Sequence, residues 1–484
     1  MKTTMKTLLC ALLLFALIGG TFTGCALTQA EKLNRMEERE RAFALMELID
    51  QNGEAADSYT FDMTMKLKGE FQGVDLEVNS EGKSLFSGLK GENPAYHTTT
   101  KTETDAMGGE ISSTVKIEEG YQFGKMYRYY RGDGTKQMLW SPIEWADYEA
   151  YQESKSASPD LDIMPEDCGT VTCVQEEDGS WTATMKDFTE NGLKAFEELI
   201  KGFEETFADE FAIKDVQLTV KANEAFYLTN FVFDFVMEAL DEDFDGDLPE
   251  FVVELEVGKY NATEINPMSF KDYTEVADLR LLNLPDEAIS DLMDAKEGGF
   301  LLTIDQTVKY AGQKQELKET DKVSFTNKDG KFTYRIESEQ NSYDFLMTYA
   351  DGVSKAVVTE GNKVISDEEE EMTDSDARAA IEFLLEQMSY DANQITDIEL
   401  KKNETDVYVL HMDPMGNALL RSVMDSVGSD ELGNTKKVNY TITVKDGKLE
   451  KIEFFIDANI VVEDSMLNFD LLMVYDFTAK FSTK

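Results

Sequence analysis

Apolar and polar residues alternate with a period of two along much of the chain, and this alternation predicts β-strands. The stretch 58–67, SYTFDMTMKL, places four apolar side chains on one face, and the stretch 302–310, LTIDQTVKY, alternates similarly with an interruption at Gln306. Many such runs separated by Gly, Asn and Asp turns favour antiparallel sheets with one solvated face. Asp-Gly pairs suited to hairpin turns occur at 133–134, 329–330 and 446–447.

The same pattern occurs twice, which indicates an internal duplication of roughly 200 residues. Residues 216–257 and 438–477 both contain a TVK segment, a short turn, a long alternating strand, an acidic turn and a second alternating strand. An amphipathic helix is predicted upstream of each, because apolar residues recur there at helical spacing. The two stripes are Leu193, Phe196, Leu199, Ile200, Phe203 and Phe207, and Leu419, Leu420, Val423, Met424 and Val427.

Other helices are predicted around and within the two copies. A charged amphipathic helix covers 29–50, and a helix carrying Phe383 and Leu384 lies midway along the second copy, preceded by Asp367–Glu371 as a solvated loop. A short helix after Pro285 marks the boundary between the copies. The predicted division is a signal peptide at 1–24, a lipidated N-terminus with its helix at 25–52, copy one at 53–280, a linker helix at 281–296 and copy two at 297–484.

Composition narrows the class of protein. The net charge is −50, while 42% of residues are hydrophobic and 11% aromatic, so the chain can bury cores and is no disordered acidic tail. This charge repels nucleic acid, which is therefore excluded as a partner. The two histidines, His97 and His411, are far apart, so a histidine metal site or a Ser/His/Asp triad is hard to build. Without a phosphate loop or a nucleophile elbow, the sequence predicts neither an enzyme nor a cofactor.

The first residues predict the location of the protein. Lys2 and Lys6 introduce an apolar run of 11 residues, Leu8 to Ile18, which fits a signal peptide and is shorter than the ~20 residues that span a bilayer. The small residues that follow, with Cys25, resemble a bacterial lipobox. This implies cleavage after residue 24 and diacylglycerol on the Cys25 thiol, which anchors the chain to the outer face of the cytoplasmic membrane. An ordinary secretory signal with a chance cysteine is the alternative.

Two further cysteines, Cys168 and Cys173, lie five positions apart. In an exported protein such a pair forms a small-loop disulfide or stays as two free thiols, and the sequence leaves both alternatives open. The spacing is not a zinc signature, because no histidine or further cysteine lies near. No metal site is predicted from these residues.

Residues 241–251, DEDFDGDLPEF, carry six carboxylates around one glycine. Asp241, Asp243 and Asp245 occupy the first, third and fifth positions of a calcium loop, but the twelfth position is Val252 where such loops have glutamate. Strand patterns flank the segment on both sides, and its counterpart in the second copy has lost most of the acids. The segment is therefore interpreted as a lengthened hairpin turn, with weak calcium binding by these three aspartates as a secondary hypothesis.

Each copy thus reads as a helix, a long antiparallel meander, helices inserted midway and closing hairpins, and a lipobox precedes the pair. This order resembles the bacterial lipoprotein-carrier superfamily, the LolA/LppX-like half-barrels, in tandem. The resemblance covers most of residues 29–484. It implies an α+β fold of two tandem antiparallel β half-barrels, each with helices packed on its concave face. That face would hold an acyl chain or a glycolipid.

A lipid cavity would need apolar, loosely packed strand faces, and methionine is a flexible lining residue. The alternative is that the same side chains pack against the helices as an ordinary core, since every half-buried sheet has such a face. The candidate lining residues are Met63, Met65, Phe231, Phe233, Phe235 and Met237 in copy one, and Ile452, Phe454, Ile456, Leu471 and Met473 in copy two.

The sequence therefore favours a membrane-anchored, non-enzymatic lipoprotein that binds a lipid or another apolar ligand in its half-barrel domains. The alternative is an envelope interaction or sensor module that binds an envelope protein or a cell-wall polymer through its outer surface, without an internal ligand. The two hypotheses differ in whether an apolar site lies inside the sheets or the partner docks outside them.

Overall fold

The computed structural model describes most of the chain, and the chain divides into two compact units. The first unit ends at Asp272, and the second begins at Tyr273 and also includes Leu139–Ser141. The division falls on the N-terminal side of the predicted linker at 281–296. The described residues are 29–71, 74–109, 111–132, 134–155, 165–201, 211–239, 248–285, 288–289, 297–328, 331–338, 343–350, 352–361, 363–371, 390–402, 404, 406–429, 431–433, 437–445, 448–462 and 465–478.

The first sheet has 12 strands and begins with the alternating segment predicted over 58–67. Its strands are β1 (Tyr59–Phe71), β2 (Val74–Ser87), β3 (Ala95–Ala106), β4 (Ile111–Gln122), β5 (Lys125–Gly132), β6 (Thr135–Pro142), β7 (Cys168–Gln175), β8 (Trp181–Phe188), β9 (Phe211–Ala222), β10 (Leu228–Ala239), β11 (Glu250–Gly258) and β12 (Thr274–Glu275).

The second sheet has 11 strands. They are β13 (Glu297–Tyr310), β14 (Gln313–Lys328), β15 (Lys331–Ser338), β16 (Tyr343–Ala350), β17 (Val353–Glu360), β18 (Lys363–Glu371), β19 (Ile395–Leu400), β20 (Val407–Met412), β21 (Lys437–Lys445), β22 (Lys448–Val462) and β23 (Ser465–Asp476).

The two sheets have the same strand order. In the first it runs β12-β6-β5-β4-β3-β2-β1-β11-β10-β9-β8-β7, and in the second β18-β17-β16-β15-β14-β13-β23-β22-β21-β20-β19. Apart from the two-residue β12, each sheet is a six-strand meander followed by five strands, the last of which returns to pair with the first. In these closing pairs Phe61 lies opposite Val257, and Leu302 lies opposite Tyr475.

The helices are few compared with the strands. Strands account for 63% and helices for 18% of the residues that the structure describes. The α-helices among the described residues are α1 (Gln29–Leu33), α2 (Glu38–Ala55), α3 (Trp145–Lys155), α4 (Glu190–Lys201) and α5 (Ala418–Ser426), and the 3-10 helices are Met107–Gly109, Pro165–Asp167, Leu279–Asn283, Ala392–Gln394 and Pro414–Gly416. The predicted helix around Phe383 and Leu384 lies outside the described residues.

The expected fold class was therefore wrong. The chain is mostly β, with two large sheets, and is not an α+β fold of half-barrels with helices on a concave face. The described parts of the two predicted apolar stripes form α4, of 12 residues, and α5, of 9 residues, beside sheets of 12 and 11 strands. Phe203 and Phe207 of the first stripe lie outside the described residues. No described helix is both long enough and apolar enough to cross a membrane.

The predicted helix over 29–50 is divided into α1 and α2, and the side chain of Arg41 stabilises the break. Its guanidinium donates hydrogen bonds to the carbonyl oxygens of Leu33 and Met36, at 3.0 and 2.9 Å. Leu33 and Leu45 are buried in one apolar cluster with Trp181 of β8. The N-terminal helices therefore complete the core of the first unit.

The acidic run Asp367–Glu371 belongs to strand β18, so its interpretation as a solvated loop was wrong. β18 ends the strand order of the second sheet, and eight of its nine residues are exposed. Lys355 of β17 bridges Asp367 and Glu369, at 2.9 and 3.0 Å. Cross-strand pairing with a lysine-bearing neighbour allows this acidic segment to adopt an extended conformation.

Candidate functional site

In the first unit, the predicted lining residues form a packed core. All of them except the half-buried Met65 are buried, and they share one apolar cluster with α1 and α2. The ring of Phe196 from α4 lies edge-on to Phe233 and Phe235, with centroids 6.0 and 6.1 Å apart. Phe235 in turn stacks on Phe251 at 5.1 Å. This face of the first sheet is therefore occupied by the protein's own side chains.

In the second unit, the predicted lining residues lie on one face of β22 and β23. Ile452, Phe454, Ile456 and Leu471 are buried, whereas Met473 is half-buried. Leu471 lies opposite Ile456. The structure therefore brings all the candidates of this copy together on a single sheet face.

This face continues across the neighbouring strands β13 and β14, where it is less covered. Directly opposed residues in a ladder share a face. Ile304 lies opposite Met473, and Gln306 lies opposite both Leu471 and Leu317. We call Leu302, Ile304, Leu317 and Met473 the apolar strip; Leu317 is 42% exposed and the other three are half-buried.

The corresponding strand of the first unit differs in coverage. On β1, Phe61 and Met63 are 6% and 3% exposed, because they pack in the cluster that includes Leu33 and Leu45. The corresponding positions on β13, such as Leu302 and Ile304, remain half-buried. The apolar strip of the second unit is therefore the better candidate for a ligand surface.

Two carboxyl groups adjoin the apolar strip. Asp321 lies opposite Leu302, and Glu319 lies opposite Ile304, so both acids share the face of the strip. Ser338 of β15 lies opposite Asp321 and donates a 2.8 Å hydrogen bond to Oε1 of Glu319. Oδ1 of Asp321 is buried and accepts no hydrogen bond from a described residue. Together with Tyr334 and Tyr475 we call Glu319, Asp321 and Ser338 the carboxyl–tyrosine cluster.

Burial dominates the electrostatics of this cluster. Burial raises the pKa of Asp321, the nearby charge of Glu319 raises that pKa further, and the nearby hydroxyl of Ser338 opposes the shift. Burial also raises the pKa of Tyr334 to about 12, with a further contribution from Asp321. The pKa of Tyr475 is raised by burial and by its proximity to Tyr334. The cluster therefore disfavours an uncompensated negative charge.

The carboxyl pair was missed in the sequence because acids occur almost everywhere in this chain. A signal was nevertheless present in β14, where the residues on the face of the strip read Leu317, Glu319, Asp321, Val323 and Phe325. Two acids at successive positions of the same strand face, with apolar residues on either side, are unusual, since charged residues are rarely buried without compensation.

The two cysteines of β7 are free thiols, and the alternative of a disulfide between them is wrong. Cys168 and Cys173 lie on one strand, and five residues of extended chain separate their Cα atoms by ~16 Å. A disulfide requires a Cα separation of roughly 4.4–6.8 Å. Both thiols are instead buried in the apolar cluster of the first unit.

Two predicted sites lie outside the described residues: the lipidation site Cys25, and the secondary calcium hypothesis at Asp241, Asp243 and Asp245. Within the described part of the chain, no group of three or more His, Cys, Asp or Glu side chains could hold a metal ion.

A second feature lies on the surface of the first unit. An open depression of about 560 Å³ is lined by residues of β4, β5 and β6 that include Arg131 and Lys136. The ammonium groups of Lys116 and Lys136 lie 5.8 and 6.0 Å from the ring centroid of Tyr129, within the range of a cation–π contact. This cationic and aromatic patch contrasts with the net charge of −50.

Comparison with known proteins gives no family assignment. No family model matches the chain, and no curated protein matches it. Similar solved structures include the β domain of the Bordetella autotransporter BrkA, at 6% identity and a TM-score of 0.11, covering 87% of this chain and 100% of that one. The translocator domain of NalP from Neisseria meningitidis is 6% identical, with a TM-score of 0.12, and the match covers 91% of this chain and 94% of that one. OprD from Pseudomonas aeruginosa is 7% identical, with a TM-score of 0.15, and the match covers 87% of this chain and 94% of that one. TM-scores this low carry no argument about this chain, and the resemblance to lipoprotein carriers stays a prediction.

Proposed function

We propose that the protein is an extracytoplasmic lipoprotein, anchored to the outer face of the bacterial cytoplasmic membrane through Cys25, that binds an apolar or amphiphilic ligand without chemical conversion. The observation that carries the proposal is the apolar strip of the second unit. Its side chains remain half-buried or exposed beside the buried Phe454 and Leu471, so a ligand covering them would remove further apolar surface from water.

The first unit has a structural role in this proposal. Its equivalent face is occupied by α1, α2 and Phe196, which leaves the predicted residues Phe231, Phe233 and Phe235 in contact with the protein itself. The ligand site is therefore assigned to one unit, and the membrane anchor to the N-terminal segment that precedes the other.

Paired native and denaturing mass spectra of the purified protein test both parts of the proposal. A ligand on the apolar strip appears as added mass in the native spectrum and is lost on denaturation, whereas diacylglycerol on Cys25 survives denaturation. Substituting Ile304→Asn should abolish the releasable mass and leave the covalent one. A native spectrum without any releasable ligand, together with no binding of added amphiphiles, would contradict the binding function.

The alternative of an envelope interaction module is favoured by one observation, the cationic and aromatic patch around Tyr129. Arg131 and Lys136 are exposed there beside the open depression, and arginine and tyrosine are enriched in protein interfaces. In this case the partner docks on the first unit. Capture experiments with Lys136→Glu and Ile304→Asn variants separate the two functions, because each substitution alters one surface only.

A further inference from the structure

We infer that the protonation of His97 controls how firmly residues 259–272, which we call the outer segment, are held against the first sheet. Neutral His97 keeps the outer segment closed on the sheet, and protonated His97 releases it. The outer segment follows β11 and belongs to the first unit. The inference therefore goes beyond ligand binding by the second unit and does not depend on it.

His97 reaches the outer segment through Tyr127. Nδ1 of His97 lies 2.7 Å from the hydroxyl oxygen of Tyr127, and Nε2 lies 3.2 Å from that of Thr99. His97 of β3 and Tyr127 of β5 both lie opposite Gly120 of β4. A Cβ atom at position 120 would be 2.5 Å from the hydroxyl oxygen of Tyr127. The glycine therefore allows Tyr127 to extend across β4 and bond to His97.

Phe270 of the outer segment covers Tyr127. The two rings meet edge-on with centroids 5.7 Å apart, and Tyr127 is only 1% exposed. The ammonium group of Lys125 lies 4.8 Å from the centroid of Phe270, within the range of a cation–π contact. A movement of Tyr127 towards or away from His97 therefore changes the packing of Phe270.

Side-chain contacts attach the outer segment to the sheet at this end. Gln122 donates a 3.1 Å hydrogen bond to the carbonyl oxygen of Asn266 and accepts one of 2.7 Å from the backbone nitrogen of Met268. Residues 263–270 form neither helix nor strand, and half of them are exposed. Such segments open at a lower free energy than core strands, so a small change at His97 can shift the equilibrium.

The surroundings of His97 favour its neutral form. Burial lowers the pKa of His97, Glu118 raises it, and Lys116 lowers it. Glu118 and Lys116 form an ion pair with each other, and Lys83 of β2 on the same face pairs with Asp62. The charges around the ring thus largely compensate one another, and burial decides the direction of the shift.

Protonation is therefore linked to opening. Because the pKa of His97 is lowered in the closed arrangement, a hydrated ring in the open arrangement binds the proton more tightly. The closed arrangement is fully stable above pH 6.5 and loses stability as pH falls through that value towards the lower pKa of the closed state. Lys271 and Asp272, beside Phe270, are exposed, so solvent screens their charges.

Hydrogen–deuterium exchange of the purified protein at about pH 7.5 and about pH 5.5 tests the inference, after correction for the intrinsic effect of pH on exchange. We expect the outer segment to lose protection at the lower pH while β9 and β10 keep theirs. His97→Asn retains a neutral hydrogen-bonding group near the position of Nδ1 and should give equal protection at both pH values. The matched control is His411→Asn, which removes the other histidine of the chain and should keep the loss.

Three outcomes overturn the inference: equal protection of the outer segment at both pH values in wild type, a loss that persists in His97→Asn, and a loss throughout the first unit, which would indicate global acid unfolding. None of them bears on the apolar strip, whose ligand is tested separately by mass spectrometry.

A second measurement does not depend on how the His97 variant folds. NMR of protein with labelled histidine follows both rings, and His411→Asn identifies the resonance of His97. We expect Phe270→Ala, which uncovers Tyr127, to raise the titration midpoint of His97 towards 6.5, because closure and protonation affect each other reciprocally. Phe123→Ala removes a 63% exposed ring from the turn between β4 and β5 and should leave the midpoint unchanged. Equal midpoints in wild type and Phe270→Ala would show that His97 and the outer segment are not coupled.

Discussion

Arg41 donates a 2.7 Å hydrogen bond from Nη1 to the carbonyl oxygen of Cys173, and this bond connects helix α2 to the edge strand β7. Two further bonds from the same guanidinium reach Leu33 and Met36, so one side chain joins α1, α2 and the sheet. Exposed edge strands are prone to pairing with other chains, and proteins commonly cover them.

We expect Arg41→Met to lower the free energy of unfolding of the first unit by about 1–3 kcal/mol, because three carbonyl oxygens lose a charged donor. Urea denaturation followed by tryptophan fluorescence measures the change, since Trp181 lies in the same unit and is buried. The matched control is Arg35→Met, which removes an exposed guanidinium near the same break. Equal effects of the two substitutions would contradict the role of Arg41.

Phe235 and Val236 are neighbours on β10 with opposite environments, 5% and 49% exposed. Phe235→Ala should lower the free energy of unfolding by about 3–5 kcal/mol, since the lost ring leaves a cavity beside Phe196 and Phe251. Val236→Ala should cost less than about 1 kcal/mol. If Phe235 instead lined a spacious ligand cavity, truncation would cost little, and the two variants would unfold at similar denaturant concentrations.

Asp321→Asn should stabilise the protein at neutral pH. The folded-state pKa of Asp321 is raised, so its contribution to stability is present below the unfolded pKa of ~3.9 and is lost as pH rises through the folded value. Asparagine does not ionise and avoids this loss. The free energies of unfolding of wild type and variant should therefore diverge between pH 4 and pH 7, with the variant the more stable at pH 7.

Chemical denaturation of ligand-free protein at several pH values measures this difference. The control Asp305→Asn, on the other face and paired with Lys318, should show no gain at pH 7. An Asp321→Asn variant that is less stable than wild type at pH 7 would show that the carboxylate is favourably compensated in the folded protein.

The thiols of Cys168 and Cys173 should be unreactive at pH 8 in the folded protein. Burial raises the pKa of each to about 11, and the thiolate is the form that reacts with alkylating reagents. Alkylation followed by peptide mapping should find both unmodified until denaturant is added, and without prior reduction both should then react. Modification only after reduction would indicate a disulfide and contradict the structure.

The sequence predicted the alternating strands and their repeated order because hydrophobic alternation is a local property. The runs around Phe61 and Ile304 fall in β1 and β13, and the stripe that includes Phe196 falls in α4. The fold class was predicted wrongly because the extent of a sheet depends on pairings between residues distant in sequence. The acidic segment of β18 shows the same limitation, since it forms a strand by pairing with β17, which the segment itself does not reveal.

The candidate site could be predicted only in part. Met473 and Leu471 were identified from alternation, but their degree of exposure depends on which helices cover each sheet. The carboxyl pair of Asp321 and Glu319 required knowledge of strand register, because a shift of one residue would place both acids in water. The free thiols of Cys168 and Cys173 likewise depend on both cysteines lying on one strand, which their spacing alone does not show.

The acidic edge of the second sheet also has a consequence for association between copies of the protein. Asp367–Glu371 present five carboxylates along β18, and only Lys355 pairs with any of them among the described ion pairs. Two such edges approaching each other repel within the Debye length of ~10 Å at 0.1 M salt, which opposes the strand pairing that begins aggregation. High salt shortens this range, so we expect the tendency of copies to associate through β18 to rise with ionic strength.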